Sequence, residues 1–263
     1  MTLLQGTRRA LLGSTAVAFL PTAVANLQAW FKSDVGLFQE STFVTASGDD
    51  DPVGGWRDQS GNGNDVIQAT SSLKWTLRLD EINGLPALQN DGDDFIANVT
   101  TALGFSGTDK PLATFCVAKV TDTAANRVIF SIGNSGTNTQ FYEILTNATP
   151  EYSEIKRDDA SVLKAHDDGT PQTINYVLWT ILNNGTQSTM RVDGALIGSA
   201  DVDLDVGAST FDQFAIGTVL RVAASANWVG FLAEIAVVQD DISAADLALM
   251  ETYFANRYGI SLP

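Results

Sequence analysis

Two runs of aspartate are the densest chemistry in the sequence. Asp49-Asp50-Asp51 and Asp91-Gly92-Asp93-Asp94 each cluster the hard oxygen atoms that calcium takes as ligands. Of these, Asp91, Asp93 and Asp94 are the candidate calcium ligands, with Asp49–Asp51 as the alternative. Aspartates in such loops also cap turns and stay solvated, so a purely structural role stands beside the metal. Cleaving a glycosidic bond would need two carboxylates flanking one scissile bond. Glu143 and Glu234 each stand singly in an apolar segment, and Asp201-Val202-Asp203-Leu204-Asp205 alternates without a glutamate and follows a loop. No catalytic residue is assigned, and the chain is read as a protein without enzyme activity. Cys116, the one cysteine, lies inside the apolar run Leu112–Val120 and reads as a buried structural thiol. The one histidine, His166, precedes Asp167-Asp168-Gly169, reads as a loop residue, and is too few for a multi-histidine metal site.

A sugar can also be held without being cleaved, by an exposed aromatic face beside polar hydrogen-bonding groups. Beyond the first strand, the tryptophans are Trp56, Trp75, Trp179 and Trp228. Trp179 lies within an apolar strand and belongs to the core. Trp56 sits in a glycine-rich loop, while Trp75 and Trp228 follow Ser71-Ser72-Leu73-Lys74 and Ser225-Ala226-Asn227. Trp56, Trp75 and Trp228 are therefore the candidate carbohydrate-binding residues, with buried anchoring as the competing reading.

These groups must be positioned by strands. Apolar segments punctuated by turn signals recur at Leu112–Val120, Arg127–Ile132, Phe141–Leu145, Ile174–Leu182, Gln187–Val192, Ala195–Ile197, Gln213–Ile216 and Trp228–Val238. Many strands without helices between them predict a sandwich or barrel. Asp193-Gly194 predicts a tight hairpin, since both residues of a type I′ turn need positive φ. One helix is legible. Ser243 is its N-cap with Asp246 three residues on, Leu247, Met250 and Phe254 follow at helical spacing, and Gly259 ends it. Its apolar stripe should lie against the sandwich edge.

The 263 residues suffice for one large sandwich preceded by a short leader. A net charge of −16 repels phosphate backbones, so nucleic acid is not an expected partner. The leader holds no acid before Asp34. Arg8-Arg9 precede the apolar stretch Ala10–Leu20, then Pro21 and Ala23-Val24-Ala25. This is the layout of a secretory signal, and it is too short for a bilayer, which takes roughly 20 apolar residues. We expect an anchor that docks on a partner protein through Arg8, Arg9, Leu11 and Leu12, with cleavage after Ala25 as the alternative.

Three segments together resemble the concanavalin A-like lectin/glucanase domains of laminin-G-like type, found in bacterial surface proteins and phage virion proteins. The first is Leu27–Asp34 with Trp56-Arg57-Asp58-Gln59-Ser60-Gly61-Asn62-Gly63-Asn64, similar to a W-x-D-x-S-G-x-G-N pattern. The second is Asn83-Gly84-Leu85-Pro86-Ala87-Leu88 leading into Asp91-Gly92-Asp93-Asp94-Phe95. The third is Phe231–Val238 followed by Asp241–Ile260, ending in Tyr258-Gly259-Ile260. The resemblance implies an all-β, two-sheet antiparallel jelly-roll sandwich over 27–263 with a C-terminal helix, and an extended anchor or signal-like segment over 1–26. It also implies calcium as the usual ion, although no cofactor is required. Glycosidases of this superfamily carry an E-x-D-x-x-E strand, which is lacking here.

Because the scaffold hosts many functions, function has to come from a site. Gly6-Thr7-Arg8-Arg9-Ala10-Leu11-Leu12 resembles segments preceding such domains in phage structural proteins. The expected function is a virion structural or accessory protein, such as a head decoration, head fibre or tail accessory subunit. Its leader would dock on other virion proteins and its lectin-like domain would face cell-surface glycan. We expect a homo-oligomer with no membrane span. The alternative is an exported bacterial carbohydrate-binding or adhesion protein, secreted or held at the cell surface.

Overall fold

A computed structural model describes residues 19–105, 111–149, 151–157, 160, 162–171, 173–184, 187–202 and 207–263. Its strands begin with β1 (Leu27–Lys32), β2 (Leu37–Phe38), β3 (Pro52–Val53), β4 (Gly55–Trp56), β5 (Val66–Ile67), β6 (Trp75–Ile82) and β7 (Leu85–Asn90). They continue with β8 (Ile96–Asn98), β9 (Leu112–Val120), β10 (Arg127–Gly133), β11 (Phe141–Thr146), β12 (Glu151–Arg157), β13 (Leu163–Pro171) and β14 (Val177–Asn183). The last are β15 (Ser188–Val192), β16 (Ala195–Val202), β17 (Gln213–Ile216), β18 (Val219–Leu220), β19 (Ala224–Ser225) and β20 (Gly230–Gln239), followed by helix α1 (Ala244–Tyr258).

The fold is the antiparallel two-sheet sandwich with a C-terminal helix that the sequence predicts. One nine-stranded sheet, the helix-side sheet, runs β16-β15-β14-β9-β20-β7-β6-β3, with β1 also beside β20. The other, the far sheet, runs β13-β12-β11-β10-β17-β8-β5-β4-β2. Between them lies the main core, including Phe31, Trp56, Trp75, Phe130, Tyr142, Trp179, Phe214 and Trp228. Cys116 is buried there too, and burial alone pushes its thiol up to about 12.

Strand β9 is buried along almost its whole length because both of its faces are covered. Cys116 and Ala118 face the far sheet, while Phe115 and Val117 meet helix α1. An unbroken apolar run is the sequence signature of such a strand. The helix therefore lies across the sheet face rather than against an edge. Met250, Phe254 and Tyr258 pack on Ala113, Phe115, Val117 and Leu178, outward residues of central strands that need a cover. Its ends are as predicted. Ser243 Oγ accepts a hydrogen bond from the Asp246 amide, and Gly259 takes φ 68° in the left-handed region. The predicted hairpin is present as well, with Asp193 at φ 51° and Gly194 at φ 79° between paired Val192 and Ala195.

Three readings are corrected. His166 lies in β13 opposite Glu154 and is buried, so it is not a loop residue. Strands β12 and β13 were not legible because their inward residues include polar ones, among them Glu154 and Lys156. Trp75 opens β6 rather than standing in a loop. The leader positions Arg8, Arg9, Leu11 and Leu12 lie outside the described residues. The described part of the leader, 19–26, packs on the helix side, with Pro21 and Val24 buried and the Phe19 ring edge-on to Tyr253 at 6.4 Å. Among the described residues no helix is long and apolar enough to cross a membrane.

The W-x-D-x-S-G-x-G-N segment is a clasp for the first strand. Asp58 accepts hydrogen bonds from the amides of Trp30 (2.9 Å), Ser60 (2.8 Å) and Asn64 (3.0 Å) and from the Ser60 hydroxyl (2.7 Å). Asn62 and Asn64 in turn donate to the carbonyls of Leu27 (2.6 Å) and Gln28 (2.7 Å). These bonds satisfy backbone groups of β1 that no neighbouring strand reaches. Asp58→Ala is expected to cost about 2 kcal/mol in urea denaturation, because several donors lose a charged acceptor at once. A loss below about 0.5 kcal/mol would show that the clasp contributes little.

Candidate functional site

The three tryptophans expected to offer a sugar platform do not offer one. Trp56, Trp75 and Trp228 are 0%, 1% and 1% exposed and sit between the sheets. The Trp56 indole donates to the Lys32 carbonyl at 2.9 Å, which fixes the glycine-rich loop from inside. Bulky apolar rings fill this core, and the serines that suggested exposure lie in a short 3-10 turn before β6 (Ser71 and Ser72) and at the end of β19 (Ser225). No large aromatic ring is among the exposed apolar side chains of the described residues, which are all aliphatic.

The two single glutamates are placed on opposite outer faces. Glu234 of β20 is fully buried beneath the helix, where it accepts from Trp30 Nε1 (2.6 Å), Tyr258 Oη (2.7 Å) and Arg257 Nε (2.9 Å). Burial pushes its carboxyl up, against the pull of these donors. Glu143 of β11 shares the outward face of the far sheet with Phe141 and Leu145. Two packed sheets about 10 Å apart separate the pair, so these carboxylates cannot flank one glycosidic bond.

Around Glu143 lies the most elaborated outward surface of the far sheet. The hairpin β18–β19 folds over part of it, held where Ser131 Oγ donates to the Thr218 carbonyl (2.8 Å) and Gln213 Nε2 to the Arg221 carbonyl (2.7 Å). Arg221 leaves this hairpin, donates to Ser225 Oγ (2.9 Å) and the Asn138 carbonyl (3.3 Å), and stands 4.9 Å from the Phe141 ring centre. Arg157, directly opposite Phe141 in the β11–β12 register, stands 5.7 Å from the same ring. Glu143 is 7% exposed, and burial pushes its carboxyl up to about 7 although Arg221 and Arg157 pull it down. Leu163, opposite Arg157 on β13, is 52% exposed. The face thus offers guanidinium groups, a carboxyl, an exposed amide side chain at Asn138 and one exposed leucine, Leu163.

The aspartate trio forms a second cluster, at the loop between β7 and β8. One carboxylate oxygen from each of Asp91, Asp93 and Asp94 lies within 4.8 Å of the others. Asp94 is buried, and burial followed by repulsion from Asp91 and Asp93 pushes it up to about 7. Asp93 is raised by its hydrogen bond to Asp91. Arg127 borders the same depression but is paired with Asp122. Convergent hard oxygens without a cation of their own fit calcium. Asp49–Asp51 do not converge. Asp49 accepts from the Leu79 amide (3.0 Å), Asp50 pairs with Arg78, and Asp51 accepts from Gln39 (2.9 Å) and the Gly48 amide (2.8 Å).

Sequence reasoning singled out Glu143 only as a failed catalytic residue and overlooked Arg157 and Arg221. Arg157 ends a strand that was not recognised, and nothing local marks Arg221 as reaching β11. These features define an antiparallel two-sheet β-sandwich in which Glu143 and Glu234 do not form a paired-carboxylate centre. Comparison with solved structures agrees on the fold. Domain 4 of AbnA, a GH43 extracellular arabinanase from Geobacillus stearothermophilus, solved with arabinotriose, superposes with TM-score 0.58 at 12% identity over 86% of this chain and 98% of that one. The Ruminococcus gnavus IT-sialidase CBM40 bound to alpha2,3 sialyllactose gives TM-score 0.52 at 13% identity over 63% of this chain and 95% of its own. A botulinum neurotoxin serotype D binding domain gives TM-score 0.58 at 13% identity over 90% of this chain and 54% of its own. No family model and no curated protein sequence matches the chain.

Proposed function

We propose that the chain is a non-catalytic glycan-binding module whose site is the outward face of the far sheet around Phe141, Glu143, Arg157 and Arg221. The observation that carries this reading is the pair of guanidinium groups gathered over one ring beside the exposed Leu163 side chain. The fold shared with domains solved on arabinotriose and sialyllactose supports it. Calcium, held by Asp91, Asp93 and Asp94, is proposed as a stabilising ion, which would neutralise carboxylates that now repel one another.

The wider setting we propose is a phage virion, with the leader docked on a particle protein and the module turned outward as part of a homo-oligomeric assembly. One geometric relation favours this orientation. Residues 19–26 run along the helix side, so an attachment there leaves the opposite, far-sheet face towards solvent. An exported bacterial adhesion module, secreted or at the cell surface, is the alternative. Intact mass with co-sedimentation separates them, since full-length protein on particles supports the virion and a chain starting near Asn26 supports export.

Binding to an oligosaccharide array, with and without calcium, tests the module itself. We expect micromolar to millimolar glycan binding, no release of reducing ends, and a calcium-dependent rise in melting temperature that Asp94→Asn removes. Reducing-end release abolished by Glu143→Gln would overturn the non-catalytic reading.

A further inference from the structure

The far-sheet face lacks the feature on which binding of neutral sugars most depends. Among the described residues every large exposed apolar side chain is aliphatic, and Phe141 is itself only 5% exposed. Aromatic stacking supplies much of the affinity for an uncharged ring. Here affinity would have to come from elsewhere, and the face holds charge suited to it.

Arg157 has neither an ion pair nor a hydrogen bond among the described residues, and its Nε is buried without a partner. Arg221 is anchored by Asn138 and Ser225, yet its Nε is likewise buried without a partner and no carboxylate pairs with it among the described residues. This occurs in a chain with 31 acidic and 15 basic residues, where other arginines find a carboxylate: Arg57 pairs with Asp65, Arg191 with Glu251 and Arg257 with Asp34. Glu143, the acid next to these two guanidiniums, makes a hydrogen bond to neither, while Asp167 and Glu151 lie farther along the same face and accept from Ser153 and Asn147. Both guanidiniums stand over the Phe141 ring, which limits their freedom and pre-orients their donors. A planar fork held in this way suits a carboxylate or sulfate, whose bonds to arginine are about twice as strong as neutral ones. Leu163 beside Arg157 gives the apolar side of a pyranose something to rest on.

We infer that this face selects acidic glycans, with Arg157 and Arg221 taking the carboxylate or sulfate of a sugar and Leu163 lying under its ring. The inference rests on the glycan-binding reading above and names its ligand class. Calorimetric titration of the full chain with trigalacturonate, a heparin tetrasaccharide and neutral cellotriose tests it. The acidic probes should bind at least tenfold tighter than cellotriose and weaken as salt rises. Arg157→Ala should reduce acidic binding at least tenfold, while Arg157→Lys, which keeps the charge but loses the fork, should leave an intermediate affinity. Leu163→Glu, at an exposed position where folding is insensitive, should repel acidic probes and guards against a misfolded arginine variant. Preference for trigalacturonate over the heparin fragment would assign the subsite to carboxylate, and the reverse to sulfate. Cellotriose binding as tightly as the acidic probes, or Arg157→Ala leaving them unchanged, would overturn the acidic selectivity while the module reading stands. No binding to any of the three, in an intact fold, would count against both.

Discussion

Glu154→Gln is expected to match the unaltered protein within about 1 kcal/mol at pH 4.5 and to exceed its stability by about 2–3 kcal/mol at pH 8. Glu154 points inward from β12 and is 0% exposed. It accepts hydrogen bonds from Tyr142 Oη (2.5 Å), Ser188 Oγ and Asn183 Nδ2 (3.5 Å). Burial nevertheless pushes its carboxyl from 4.5 up to about 7, so desolvation outweighs the three donors. A carboxyl raised in the folded state favours its neutral form there. The stability it contributes is complete below pH 4.5 and is lost as pH rises through about 7. Glutamine keeps the size and an acceptor oxygen but does not titrate. Urea denaturation at pH 4.5, 6 and 8 measures the difference, and parallel stability curves for the two proteins would show that Glu154 does not titrate in this window.

Removing Glu234 should be the more damaging change, with Glu234→Ala expected to cost about 3–5 kcal/mol at neutral pH. Its side chain joins three elements: Trp30 from β1, and Arg257 and Tyr258 from the helix. Alanine would strand the buried Trp30 indole and Tyr258 hydroxyl without their acceptor and open a cavity beneath the helix. Arg257 would keep Asp34 at 2.7 Å, so its charge stays paired and the loss falls mainly on the buried donors. Glu234→Gln, which retains one acceptor, should cost about half as much. Chemical denaturation followed by tryptophan fluorescence reports both values. A Glu234→Ala loss under about 1 kcal/mol would mean that the helix is held by apolar packing alone.

The helix, the Asp193-Gly194 hairpin and most long strands were legible because their signals are local: a cap, positive φ, or a covered run such as Leu112–Val120. Strands β12 and β13 escaped because a strand with inward Glu154, Lys156 and His166 lacks the apolar alternation by which half-buried strands are read. The tryptophans misled for the opposite reason. The serines before Trp75 and Trp228 and the glycines before Trp56 describe only the local chain, while the exposure of each ring depends on which side of the sheets it joins.

The sequence by itself determined the all-β class, the terminal helix with both its ends, and the pairing of Asp91, Asp93 and Asp94 in one loop, because each depends on residues close together in the chain. Only the tertiary structure decided that Glu143 and Glu234 lie on opposite faces, that Trp56, Trp75 and Trp228 are core, and that Arg157 and Arg221 share the Phe141 ring. Those outcomes depend on strand register. In a pleated strand, a shift of one residue exchanges inside for outside, and Arg157 and Arg221 meet only because the paired strands β11 and β12 and the hairpin β18–β19, distant in sequence, come to one face.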